Sequence, residues 1–207
     1  MRLIKLFFAA VILFSQLACD SSEAQSNQIE TAPPLPSSKI IAEKFAYPIG
    51  KIELITEAKD KKDDWYNAQD FTVNTHLGED WNKNSGGNTD CGEPVFAAAN
   101  GTIVYAENAG EGWGNVVIIE HDLPAGKKVQ TLYGHLRKIL KTSGEVKMRE
   151  QIGEVGNAAG KYLCHLHFEL REESCPMWNQ AGAGYSAENK GWLNPSDFID
   201  ASQNRLR

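Results

Sequence analysis

Cys164-His165-Leu166-His167-Phe168-Glu169-Leu170 is the stretch on which the fold turns. Its period is two: Cys164, Leu166, Phe168 and Leu170 make an apolar face, and His165, His167 and Glu169 make the other. Successive side chains of an extended chain point to opposite sides, so this is a strand with one face on a core and one toward a groove or solvent. The same reading extends outward. Val116 to Glu120 is a strand by β-branched content, and Lys128 to His135 is another, after a Pro124-Ala125-Gly126 turn. Gln151 to Val155 adds a further short strand. Val95–Ala99 and Thr102–Ala106 flank Asn100-Gly101, which predicts a hairpin, since both turn residues tolerate positive φ. Only Asn194-Pro195-Ser196-Asp197, ahead of Phe198-Ile199, reads as a helix start, with proline near the first turn. The expectation is an all-β or β-rich fold: a single antiparallel β-sheet domain, without internal repeats.

Composition narrows the function. The chain has 207 residues, 42% hydrophobic and 23% charged, which is ordinary globular usage. Its 21 basic against 27 acidic residues, net −6, argue against nucleic acid as a partner. No stretch reaches the roughly 18 apolar residues of a membrane-spanning helix. None of the four cysteines forms a CxxC pair, which excludes a zinc ribbon and a thioredoxin-like redox site. Arg2 and Lys5 precede an unbroken apolar run, Leu6 to Phe14, so residues 1–18 read as a signal peptide. Leu17-Ala18-Cys19 resembles the lipobox of bacterial lipoproteins. That resemblance implies an exported, membrane-anchored lipoprotein facing the periplasm or cell wall, with the lipid on Cys19. Ser22-Glu23-Ala24 leaves the alternative of a secreted protein cleaved after Ala24. Residues 19–44, rich in serine and proline, are expected to be a disordered linker, residues 45–201 the folded domain, and residues 202–207 a tail. With Cys19 set aside, Cys91, Cys164 and Cys175 imply one disulfide and one free thiol in an oxidising compartment, with all three pairings open.

The chemistry lies in the five histidines. His76-Leu77-Gly78-Glu79-Asp80 sets an imidazole and a carboxylate four residues apart, on one face of an extended segment. His165-Leu166-His167 sets two imidazoles on one strand face, and Tyr133-Gly134-His135-Leu136 ends a different strand. Two histidines, one carboxylate and an open position describe a catalytic zinc site, and spare histidines can move protons near neutral pH. There is no HExxH. His121, beside Asp122 and without a partner motif, reads as a surface residue; Glu169 reads as a supporting carboxylate. Gly110-Glu111-Gly112-Trp113-Gly114 reads as a turn between strands rather than a phosphate loop.

HxGxD, then a strand-end HL, then HxH, in that order, resembles the lysostaphin-type (LytM-like) zinc endopeptidases of peptidoglycan. The resemblance covers about Phe45 to Ile199 and includes Pro94–Gly101, Gly114–Ile119 and Trp192-Leu193-Asn194-Pro195. It implies a lysostaphin-like sheet domain with an open groove, and one Zn2+ per domain held by His76, Asp80 and His167. It makes His135 and His165 catalytic, assisting the activated water and the oxyanion, in hydrolysis of stem-peptide or cross-bridge bonds. Peptidoglycan and, through Cys19, a membrane are then the partners. A catalytically inactive relative that binds and activates another cell-wall hydrolase is the alternative, although all five positions are filled. A non-haem iron oxygenase shares the two-histidine, one-carboxylate set but explains neither His135 nor His165. Three features depart from the family pattern. The loop from Trp81 to Gly92 is long, with Asn82, Asn84, Asn88 and Asp90 available to shape the groove or hold a second ion. Cys164 stands where proline is common, and residues 172–191 make a glycine-rich excursion.

Overall fold

The computed structural model describes residues 39–51 and 65–204, all within the folded unit that begins at Ser38. The expected signal peptide and Cys19 lie outside the described residues. Among the described residues eleven strands account for nearly all regular structure: β1 Trp65–Gln69, β2 Glu79–Lys83, β3 Pro94–Phe96, β4 Gly101–Asn108, β5 Asn115–Asp122 and β6 Lys128–Leu136, followed by β7 Lys138–Ile139, β8 Gly144–Val146, β9 Gln151–Glu154, β10 Leu166–Glu172 and β11 Trp192–Leu193. An α-helix, α1 Pro195–Asn204, follows β11 and ends the described residues. The main sheet runs β1-β2-β10-β6-β5-β4-β8, with β11 also paired to β10, and β3-β9-β7 form a smaller sheet. Every strand pair is antiparallel, as expected.

The centre of the main sheet is where the β-branched residues lie. Val117 pairs with Tyr133 and Ile119 with Thr131, and Phe168 in turn pairs with Tyr133 across β10 and β6. Val117, Ile119, Tyr133, Leu166, Phe168 and Leu170 belong to one core. The opposite face carries a second cluster of Val116, Ile118 and Leu132, covered by Trp113 and Tyr105. The helix forms where Asn194 Oδ1 accepts the Asp197 N–H at 3.0 Å, an N-cap with proline next in sequence. Its Ile199 enters the core, and Phe198 meets Phe45 edge to face.

Four expectations change. The Asn100-Gly101 hairpin does not form: β3 pairs with β9, whereas β4 pairs with β5 and β8. Asn100 bridges segments instead, donating to the Ile41 carbonyl and accepting from the Met148 N–H. Gly101 is needed for a close approach, since a Cβ there would stand 2.5 Å from the Glu120 carbonyl oxygen. His121 is not a surface residue but fully buried, because it continues the Val117 and Ile119 face of β5. Its ring nitrogens bond the Asn100 carbonyl and the Thr131 hydroxyl, each at 2.8 Å. Residues 39–44, expected in the linker, join the body: Ala42 is buried and its N–H donates to the Asp122 carbonyl. Residues 202–204, expected in the tail, complete α1, where the buried Ser202 hydroxyl accepts the Phe45 N–H.

Candidate active site

Strand register builds the site. In the β2–β10 pair His167 stands directly opposite Asp80, and in the β10–β6 pair it stands opposite Gly134, one residue before His135. Cross-strand neighbours on one face have Cβ atoms about 5 Å apart, so pairing brings His167 and Asp80 together, whereas His135, one residue beyond Gly134, departs from strand alternation with φ 61°. His76 arrives from a 3-10 turn, Val73–Thr75, and bridges to Tyr185. Gly78 lets that segment lie against β10: a Cβ there would be 2.5 Å from the Phe168 carbonyl oxygen.

The three donors converge. His76 Nε2 lies 3.0 Å from His167 Nδ1 and 3.3 Å from Asp80 Oδ1, and His167 Nδ1 lies 3.1 Å from Asp80 Oδ1. Zinc bonds of about 2.0–2.2 Å in a tetrahedral arrangement separate donors by about 3.3 Å, so this N, N, O set fits zinc. Among the described residues it is the only group of three such side chains within reach of one ion. The far side of His167 explains the polarity. Its Nε2–H donates to Glu169 Oε1 at 3.0 Å, which leaves the Nδ1 lone pair of the neutral ring facing a carboxylate and another imidazole. Only a cation or a proton makes that arrangement favourable. Without a metal the proton takes the place: burial opposes charge on His167, but bonds to Asp80 and Glu169 push it up to about 9. Burial likewise works to raise Asp80, yet His167 and His76 hold its carboxyl well below the usual carboxylate range. A metal bound here would displace the proton.

His135 and His165 face each other beside this cluster, ring centroids 4.7 Å apart. His135 has φ 61°, and both its backbone N–H and its Nδ1 reach the Trp113 carbonyl, at 3.0 and 3.1 Å. Its Nε2 is thereby left for chemistry. Burial first, then the neighbouring His167 and His165 charges, lowers it to about 3 and keeps it neutral. His165 bonds the Leu163 carbonyl through Nδ1 at 2.9 Å, and its Nε2 is 3.7 Å from Asp80 Oδ1. All five residues singled out in the sequence thus meet at one place. Asp80 and the histidines at 135, 165 and 167 line a groove of about 330 Å³, walled also by Trp113, Tyr162 and Tyr185.

Those walls were not legible beforehand. The Gly110–Gly114 segment is the expected turn between β4 and β5, yet it also orients His135 and lines the groove. The Trp81–Gly92 loop does not line the groove. It clamps the residue before HxH: Cys91 and Cys164 form the disulfide, Asn88 Oδ1 accepts the Cys164 N–H at 2.9 Å, and Asn82 donates to the Cys164 carbonyl at 3.2 Å. Cys175 is the buried free thiol.

Residues 75–179 match the sequence pattern of Peptidase family M23. The chain is similar to a "Lipoprotein NlpD/LppB homolog" of Pseudomonas aeruginosa, with 39% identity over 87 residues, covering 42% of this chain and 28% of that protein. It is similar to the "DD-carboxypeptidase/endopeptidase Mpg" of Neisseria meningitidis serogroup B, with 38% identity over 86 residues, covering 42% of this chain and 19% of that one. The match therefore spans less than a third of the length of either relative. Among solved structures, the catalytic domain of the antimicrobial peptidase lysostaphin from Staphylococcus simulans aligns with a TM-score of 0.45 and 25% identity, covering 65% of this chain and 89% of that one.

Proposed function

This chain belongs to peptidase family M23, and from that premise we propose that it is a zinc-dependent endopeptidase hydrolysing peptide bonds of peptidoglycan in cell-wall remodelling. The observation that carries the proposal is the convergence of His76 Nε2, Asp80 Oδ1 and His167 Nδ1 within 3.0–3.3 Å, beside two further imidazoles in a groove. His76, Asp80 and His167 would hold the metal. Bound zinc supplies Lewis acidity, acidifying water and polarising a carbonyl. His135 and His165 do the rest, each with Nδ1 bonded to a backbone carbonyl and Nε2 toward the reaction. One accepts the proton of the attacking water at Nε2 and returns it to the departing amine; the other, carrying a proton on Nε2, donates it in a hydrogen bond to the oxyanion. The name of one relative, "DD-carboxypeptidase/endopeptidase", supports the reaction class. The name of the other, a lipoprotein, supports a lipid anchor on Cys19 and a tether that holds the domain toward the wall.

The test is digestion of purified peptidoglycan, with the released products identified by mass spectrometry, before and after chelation and zinc restoration. New amine and carboxylate termini that vanish on chelation and return with zinc are expected. A fully zinc-loaded protein that cuts nothing but stimulates another hydrolase would establish the inactive-activator reading instead. Iron rather than zinc in the purified protein would overturn the metal assignment. Cys19→Ser is expected to release the protein from membranes; a soluble wild type beginning at Gln25 would refute the anchor.

A further inference from the structure

The groove wall at Gly182–Tyr185 has little structure of its own. Gly182 and Gly184 take φ of 80° and 74°, and the segment holds its place through partners elsewhere. On the groove side, the Gly182 carbonyl accepts Trp113 Nε1–H at 2.9 Å, and the Gly184 carbonyl accepts the Leu77 N–H at 2.9 Å. Behind it stands Arg171, fully buried on the face of β10 that also carries Glu169 and His167. Its Nε and Nη2 donate to Glu169 Oε2 at 2.7 and 2.5 Å. Nη1 donates to the Met177 carbonyl at 2.9 Å and to the Gln180 carbonyl, and Nη2 donates to the Ala181 carbonyl at 2.7 Å. All five guanidinium N–H groups are thus committed, two to one carboxylate and three to the segment that leads into the wall.

We infer that Arg171 is a positioning residue that pins residues 177–181 to the ligand-bearing strand, thereby fixing the substrate-facing wall at 182–185. A mere counter-charge for Glu169 would need one ammonium group. Five donors in a rigid fork, spread over four acceptors, are what a lysine cannot reproduce. The same fork holds Glu169, whose other oxygen accepts from His167 Nε2 at 3.0 Å, so wall and ligand share one anchor. This second link rests on the metal reading above; the wall does not.

Arg171→Lys keeps the charge and removes the fork. In zinc-free protein, backbone amide exchange over 177–185 is expected to quicken on the order of tenfold, confined to that segment, while β5 and β6 stay protected. On purified peptidoglycan KM is expected to rise several-fold while kcat and zinc affinity stay within about threefold, because Glu169 stays charged and paired. Glu169→Gln is expected to do the converse, weakening zinc on the order of 10–100-fold with the wall still pinned by the three carbonyl bonds. In wild-type protein with 15N-labelled arginine, five slowly exchanging, separately resolved Arg171 guanidinium protons are expected. That measurement decides the matter should Arg171→Lys fail to fold. Wild-type exchange and KM in Arg171→Lys, or rotationally averaged guanidinium protons in the wild type, overturn the inference. A wild type that binds no zinc, with an Arg171→Lys wall that still loosens, overturns the metal reading and leaves the positioning role standing.

Discussion

Replacing Cys91 and Cys164 together with Ala is expected to lower the unfolding free energy by about 4 kcal/mol. The bond joins residues 73 apart in sequence, with Cα atoms 5.3 Å apart, inside the usual range for a disulfide. Cross-linking a loop of that length removes about 15 cal/mol/K of entropy from the unfolded chain, which is about 4 kcal/mol at room temperature. The double variant is the right perturbation, because either single one leaves a reactive thiol. In urea, a slope of about 2 kcal/mol/M converts the loss into a midpoint roughly 2 M lower. Cys175→Ala is the control and should move the midpoint far less, because Cys175 closes no loop. Zinc content should survive, since Asn88 and Asn82 grip the Cys164 backbone independently of its sulfur. A midpoint shift under about 0.3 M at unchanged slope would refute the entropic argument. A tryptic map placing Cys175 in the cross-link would refute the pairing itself.

The histidines should divide into two classes. Ala at His76, Asp80 or His167 should remove zinc and activity together, whereas His135→Ala and His165→Ala should retain near-stoichiometric zinc and lose on the order of 10²–10⁴-fold in rate; reversed zinc contents for the 165 and 167 variants would mean exchanged roles. His121 gives a pH dependence: burial first, against the Asn100 carbonyl and Asp122, lowers it from 6.5 to about 4. The unfolded chain therefore takes up the proton first as pH falls, so the contribution is whole above 6.5 and is lost toward 4, about 3 kcal/mol in all. Urea melts across that window should show a steeper decline for wild type than for His121→Gln, and equal slopes would contradict it. Gly156→Ala would place a Cβ 2.3 Å from Arg137 N and 2.4 Å from the His135 carbonyl oxygen. A loss of about 1–3 kcal/mol and slower hydrolysis with zinc retained are expected, and wild-type stability would argue against this packing.

The sequence by itself determined the strands at the sheet's centre and the five residues that meet, but not β1, β2, β7, β8 or β11. Alternation along Cys164–Leu170 fixes which side chains share a face, and β-branched runs at Val116–Glu120 and Lys128–His135 mark the sheet's centre; both are local signals with a period of two. The spacing of His76 and Asp80 is local as well. Tertiary structure decided what depends on partners distant in the chain. Asn100-Gly101 carries hairpin chemistry, but the neighbouring strands found other edges to pair with, and long-range pairing outweighs a turn preference. His121 became internal because Ala42 and Phe45 lie against the end of β5, and its ring found two polar partners there. Three cysteines allow three pairs, and only the docking of the 81–92 loop against β10 selected one. Arg171 and Trp113 have no motif to announce them. Their roles arise because a glycine-rich segment without regular structure must borrow its hydrogen bonds from whatever the fold sets beside it.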